Sequence, residues 1–179
     1  MNKPHSIFIL SFPLLLLLAG HPSLAGETLH SLCSFLGGDY VDYNYCVSTL
    51  SSNPAASTAD GHTLAVIAVN LTVTNATAVK SRADSLSLSS TDSFIRSSLL
   101  NCSSLYAAAA PDLHSSAAAT AAKNYTGSAA VLADVLRVPA GCDQGFERQQ
   151  GAVSPIRKEN NAFSDLTTLA KAVNNYMAQ

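Results

Sequence analysis

Charge is scarce in this 179-residue chain: only 12% of its residues are Asp, Glu, Lys or Arg. Ten basic and twelve acidic side chains leave a formal net charge of −2. That balance gives no electrostatic footprint for nucleic acid or an anionic membrane as partner. The surface must then be built largely from Ser, Thr, Asn and Ala. Alternation of apolar and polar residues, the mark of a strand, never lasts long enough to matter. There is no C-x-x-C redox pair, and no G-x-S-x-G, H-E-x-x-H or phosphate-cradling glycine loop. Beyond residue 25 the histidines are His30, His62 and His114, on different segments. Serines are many, but a serine without a positioned base is a weak nucleophile. These absences leave no catalytic residue, metal-ligand set or cofactor motif to name.

Residues 1–25 read MNKPHSIFILSFPLLLLLAGHPSLA. A basic start at Lys3, an apolar run over residues 7–19 broken by Pro13, and small Ser23 and Ala25 make the three-part form of a secretory signal peptide. The apolar run is short for roughly 30 Å of hydrocarbon. Cleavage after Ala25 is expected, leaving a secreted, extracellular domain over residues 26–179, with no second long apolar run. In an oxidising compartment the four cysteines, Cys33, Cys46, Cys102 and Cys142, favour two disulfides. Zinc would want closely spaced pairs, and the spacings here are wide. Sequence alone leaves three connectivities. Four N-x-S/T sequons, at Asn70, Asn75, Asn101 and Asn124, are glycan acceptors if exposed in a secreted chain. Asn101 is the weakest of them, because Cys102 beside it is expected to be tied down.

The rest of the pattern is helical. Residues 27–36 form a short helix ending at Gly37-Gly38, where glycine frees the backbone to turn. A second short helix over residues 40–51 stops before Pro54. A Cys33–Cys46 bond would staple this hairpin, at residues 26–56, and the short loop is worth about 3 kcal/mol in the entropic model. A long helix is expected over about residues 58–88, with Ser57 or Thr58 as N-cap and Asp60 in the first turn. Thr91 or Asp92 opens the next, an alanine-rich helix that Pro111 should kink or locally break. A third segment carries Ala129, Leu132, Val135 and Leu136 and is interrupted at Pro139. The last opens with Ser154 as N-cap and Pro155 at the first helical position. Its stripe runs through Phe163, Leu166, Leu169, Val173 and Tyr176. Four long helices on short loops over residues 57–179 imply an all-α, up-down-up-down bundle. Neighbouring antiparallel helices can bring Cys102 and Cys142 together, so 33–46 with 102–142 is the geometrically simplest pairing.

In its order of parts the chain resembles the plant invertase and pectin methylesterase inhibitor domain family. The stretches that carry the likeness are YNYCVSTLSSNP, LLNCSSLYAAA, AGCDQGFERQQGAVSPIRKEN and the final helix. GFERQQGAVSPIRKEN is similar to the branch known from pollen allergens of the plane-tree type. The resemblance implies a four-helix bundle with an N-terminal helical hairpin and the same disulfide pairing. It also implies a reversible inhibitor that occludes the substrate cleft of a cell-wall or vacuolar invertase, or of a pectin methylesterase. Invertase-directed members carry a Pro-Lys-Phe plug. Counting back from the fourth cysteine places it near Tyr125, Thr126 and Gly127, the implied target-binding residues, where this chain has Tyr-Thr-Gly behind the Asn124 sequon. Many esterase-directed members have Thr-x-Tyr-Pro before the second cysteine; here Asp42-Tyr43-Asn44-Tyr45 lacks the proline. The alternative is a secreted structural or interaction protein that keeps the scaffold without inhibiting.

Overall fold

The computed structural model describes residues 25–38 and 41–179. The leader read at residues 1–25 lies outside them but for its last residue. All regular structure among the described residues is helical: α1 Ala25–Leu36, α2 Tyr43–Ser51, a 3₁₀ turn Pro54–Thr58, α3 Gly61–Ser89, α4 Ser93–Ala121, α5 Tyr125–Val135, α6 Val138–Glu147 and α7 Arg157–Met177. At 29 residues each, α3 and α4 are about 43 Å long. α3 packs on α4 and α7, and α5 packs on the same two from the opposite corner. The bundle is therefore antiparallel, with α5 and α6 together as its third column. The α1–α2 hairpin rests at the end where α3 starts and α7 finishes.

The apolar stripes explain the packing. Leu64, Ile67, Ala68, Ala76, Val79 and Ala83 of α3 are buried, as are Leu99, Tyr106 and Leu113 of α4 and Phe163, Leu169 and Val173 of α7. Spacing of three and four puts each set on one helix face. Small residues in α3 let α4 approach along its full length. Tyr106 meets Phe163 edge-on with ring centroids 5.1 Å apart, a favoured aromatic geometry. By length and composition α3 could also cross a membrane, but here those apolar residues are the bundle core.

Cys33 bonds Cys46 across the hairpin, and Cys102 bonds Cys142 between α4 and α6, with Cα separations of 5.6 and 4.6 Å. Gly145, one turn beyond Cys142, lies where α4 and α6 meet. A Cβ there would meet Asn101 Nδ2 at 3.4 Å, and Ser98 Oγ donates to the Gly145 carbonyl at 3.3 Å.

Helix starts, and the expected break at Pro111, differ from the sequence expectation; α2 starts at Tyr43 behind an Asp42 cap rather than at residue 40. The α3 cap is Asp60, whose Oδ1 accepts from Thr63 N at 2.7 Å. Ser57 and Thr58 are spent in the preceding 3₁₀ turn, which Pro54 opens. α7 starts at Arg157, not after Ser154; Ser154 Oγ instead accepts from Ile156 N in a local turn. α4 runs through Pro111 without a break. Pro111 and Ala107, the residue four before it, are both exposed, so the carbonyl that loses its partner faces solvent rather than the core. Asp92 does cap α4, accepting from Phe94 N and Ile95 N, and the third column does break ahead of Pro139, which sits in the first turn of α6.

Candidate functional site

Tyr125, Thr126 and Gly127 form the first turn of α5. The chain reaches them through a tight reversal at Lys123, whose φ is +61°. Asn124 then caps the helix, its Oδ1 accepting from Gly127 N at 3.1 Å. The cap is folded close over Gly127: a Cβ there would lie 2.6 Å from Asn124 Nδ2. A side chain at this position would push the Asn124 amide aside and disturb the cap.

The three residues are not equally available. Tyr125 is half-buried, and its hydroxyl shares a 2.9 Å hydrogen bond with His62 Nδ1 on the first turn of α3. Gly127 lies partly beneath the cap, and Thr126 alone is exposed. Met177 of α7 lies against Gly61, its sulfur 2.8 Å from where a Cβ would stand. The starts of α3 and α5 and the finish of α7 thus converge on one end of the bundle. Asp60, on the same rim, has its carboxyl held below the usual range by side-chain and backbone hydrogen bonds from Thr63. The His62–Tyr125 pair was not legible in the sequence, because its members are 63 positions apart.

Beneath this end the bundle holds a closed polar cluster. Ser116 Oγ lies 2.7 Å from Ser128 Oγ; Thr120 lies 2.7 Å from Ser128 and donates at 2.9 Å to Asn174 Oδ1; Asn174 Nδ2 donates to the Ala170 carbonyl. All four side chains are fully buried. Their hydrogen bonds are made within the bundle, tying α4, α5 and α7 in register rather than presenting a nucleophile. A second cluster lies by the inter-helix disulfide. Tyr106 donates to Asn160 Oδ1 at 2.9 Å, and Asn160 Nδ2 donates to Asp143 at 2.7 Å and approaches Cys142 Sγ at 3.1 Å. Burial, with Asp143 nearby, pushes the Tyr106 phenol well above its ordinary range.

The three histidines stay apart. His30 pairs with the Tyr43 hydroxyl at 2.8 Å on the hairpin, His62 pairs with Tyr125, and His114 is exposed on α4. Among the described residues no three His, Cys, Asp or Glu side chains converge as a metal site would require. Of the sequon asparagines, Asn70, Asn101 and Asn124 are exposed, whereas Asn75 is half-buried with its Oδ1 enclosed and unpartnered. A shallow groove of about 230 Å³ runs between the hairpin and α7, under Phe35 and Tyr176.

Among the described residues the two disulfides cross-link the helices, and the buried polar groups named above are bonded to one another. Residues 27–173 match the family model described as plant invertase/pectin methylesterase inhibitor. The chain belongs to that family and is an enzyme inhibitor, not an enzyme. A Platanus acerifolia protein named "Putative invertase inhibitor" is 28% identical over 175 residues, covering 97% of both chains. "Cell wall / vacuolar inhibitor of fructosidase 2" of Arabidopsis thaliana is 32% identical over 115 residues, 64% of each chain. In fold, the chain is similar to a mutant form of an Arabidopsis pectin methylesterase inhibitor. The TM-score is 0.68 at 17% identity, covering 80% of this chain and 95% of the other.

Proposed function

We propose that this protein is a secreted inhibitor of a plant cell-wall or vacuolar invertase, and that it acts by seating the first turn of α5 against the substrate cleft. The observation that carries the reading is the kind of likeness at each level. Relatives aligned at 28 and 32% identity bear invertase or fructosidase inhibitor names. The likeness to pectin methylesterase inhibitors is one of fold at 17% identity. The first turn of α5 suits the role physically. It is a small convex end, fixed by the Asn124 cap, the His62–Tyr125 bond and the polar cluster below, so little ordering cost is incurred on binding. Occlusion on a standard interface would bury roughly 1,600 Å² in total. The reading takes residues 1–25 as a cleaved leader, 26–56 as the hairpin and 57–179 as the bundle.

The test is a paired assay. Purified protein is titrated at acidic pH against invertase and against pectin methylesterase. The invertase reading expects dose-dependent loss of sucrose hydrolysis with the esterase untouched. Loss of esterase activity alone moves the assignment to the other branch of the family. If neither activity falls, the inhibitor reading is wrong. A second reading, a non-inhibitory interaction protein on the same scaffold, is favoured by one observation: of the three residues in the plug position, only Thr126 is free to touch a partner. Affinity capture from a wall extract separates the two, since an inhibitor should recover a glycosidase or an esterase.

A further inference from the structure

Asn124 holds two roles in one side chain. Its Oδ1 caps α5 through Gly127 N at 3.1 Å, while Nδ2 lies over the bare Cα of Gly127 and makes no hydrogen bond among the described residues. Nδ2 is the atom that an N-linked sugar occupies, and Asn124-Tyr125-Thr126 is a sequon. The residue is exposed at a chain reversal. The Thr126 hydroxyl that completes the sequon belongs to the one exposed side chain of the proposed contact turn.

We propose that Asn124 carries an N-glycan and that this glycan gates the inhibitory end of the bundle: the glycosylated chain is held off its target, and the bare chain binds. The gating rests on the reading given under Proposed function. In the modification, Nδ2 attacks the anomeric carbon of a lipid-diphosphate-linked oligosaccharide. A C–N bond forms, the C–O bond to the diphosphate breaks, one N–H proton is lost, and the lipid diphosphate leaves. Nothing is oxidised or reduced. The modification leaves Oδ1 as the acceptor for Gly127 N, so the cap is kept. A bulky, hydrated oligosaccharide anchored beside Thr126 then fills the space a target surface must enter. The other exposed sequon asparagines, Asn70 and Asn101, lie along α3 and α4 rather than on the first turn of α5.

Three preparations test it: the protein secreted from plant cells, its Asn124→Asp variant from the same cells, and the unmodified chain made in bacteria with its disulfides formed. Asp caps a helix as well as Asn does, so the variant removes the sugar and keeps the turn; thermal melts of all three check the fold. Peptide mapping by mass spectrometry reads the sugar directly, and inhibition titrations read the gate. The expected result is an oligosaccharide on Asn124 and inhibition about tenfold or more tighter for Asn124→Asp and for the bacterial chain than for the secreted one. An unmodified Asn124, or a glycosylated chain that inhibits as tightly as Asn124→Asp, overturns the proposal. Inhibition missing from every form, bare or glycosylated, refutes the inhibitor reading itself and the gate with it, while the mapping still decides the modification.

Discussion

Asp84, on α3, shows how few charges this fold relies on and how they are used. Lys80, one turn earlier, approaches its Oδ2 at 2.7 Å, and Ser103 of α4 donates to its Oδ1. Hydrogen bonds from Lys80 and then Ser103 hold the carboxyl below its usual range. A depressed folded pKa means that the folded chain gives up this proton more readily than the unfolded one. The contribution is complete above about pH 5 and is lost as pH falls below about 4, through the folded value. With the side chain 41% exposed, solvent screening limits it to about 1 kcal/mol or less. Asp84→Asn should therefore flatten the acid limb of a stability-versus-pH curve from urea melts; an unchanged limb would place the acid sensitivity elsewhere. Tyr106 makes the opposite case, that of a buried neutral group. Tyr106→Phe strips Asn160 Oδ1 of its donor inside a closed core, at a cost of about 1–3 kcal/mol. The urea midpoint should fall accordingly with the m-value unchanged, and a midpoint that stays put would show that Asn160 finds another donor.

Helices and crosslinks carry the fold at the next scale, and the two disulfides should fail differently. The hairpin bond closes a separation of 13 residues and the α4–α6 bond one of 40, worth about 3 and about 4 kcal/mol in the chain-entropy model. Cys33→Ala with Cys46→Ala should free the α1–α2 hairpin to exchange its amide hydrogens locally while α3 to α7 stay protected. Cys102→Ala with Cys142→Ala should lower protection throughout, because Cys142, Asn160 and Tyr106 are joined in one buried network. Uniform loss of protection in the hairpin variant would mean that the hairpin is integral to the bundle. Helix identity was legible because spacing of three and four in Leu64–Ile67–Ala68 or Phe163–Leu166–Leu169 reports directly on one buried face. Helix starts were less so. Ser57, Thr58 and Ser154 all have the chemistry of an N-cap, and only the local path of the backbone, set by Pro54 and by the turn at Ile156, decides that Asp60 caps α3 and that α7 starts without a side-chain cap. Pro111 does not break α4 for a related reason: a proline breaks a helix only where the lost hydrogen bond cannot be made up, and solvent does that on an exposed face.

Taken as a whole molecule, the bundle has two ends that the sequence does not distinguish. The position of residues 125–127 could be counted from Cys142, but not that His62 ties Tyr125 down, nor that Gly127 sits beneath its own cap. Those facts depend on α3 and α5 starting side by side, a contact between corners of the bundle that no local pattern encodes. At the far end lie the 148–156 loop and the start of α7, about 30 Å away along the 21 residues of α7. This separation makes the proposed contact end testable by a pair of like substitutions in protein made without glycans. Thr126→Arg adds a bulky cation to an exposed site on the α5 turn. Val153→Arg does the same at a side chain 62% exposed at the other end. Neither site is buried, so both variants should melt as the parent does. If the α5 turn enters the target's cleft, Thr126→Arg should weaken inhibition by about tenfold or more, while Val153→Arg, outside the interface, changes it less than about twofold. The reverse ranking would assign recognition to the 148–156 loop. Equal, large losses would indicate a target that grips the bundle along its full length, as a groove rather than a pocket would.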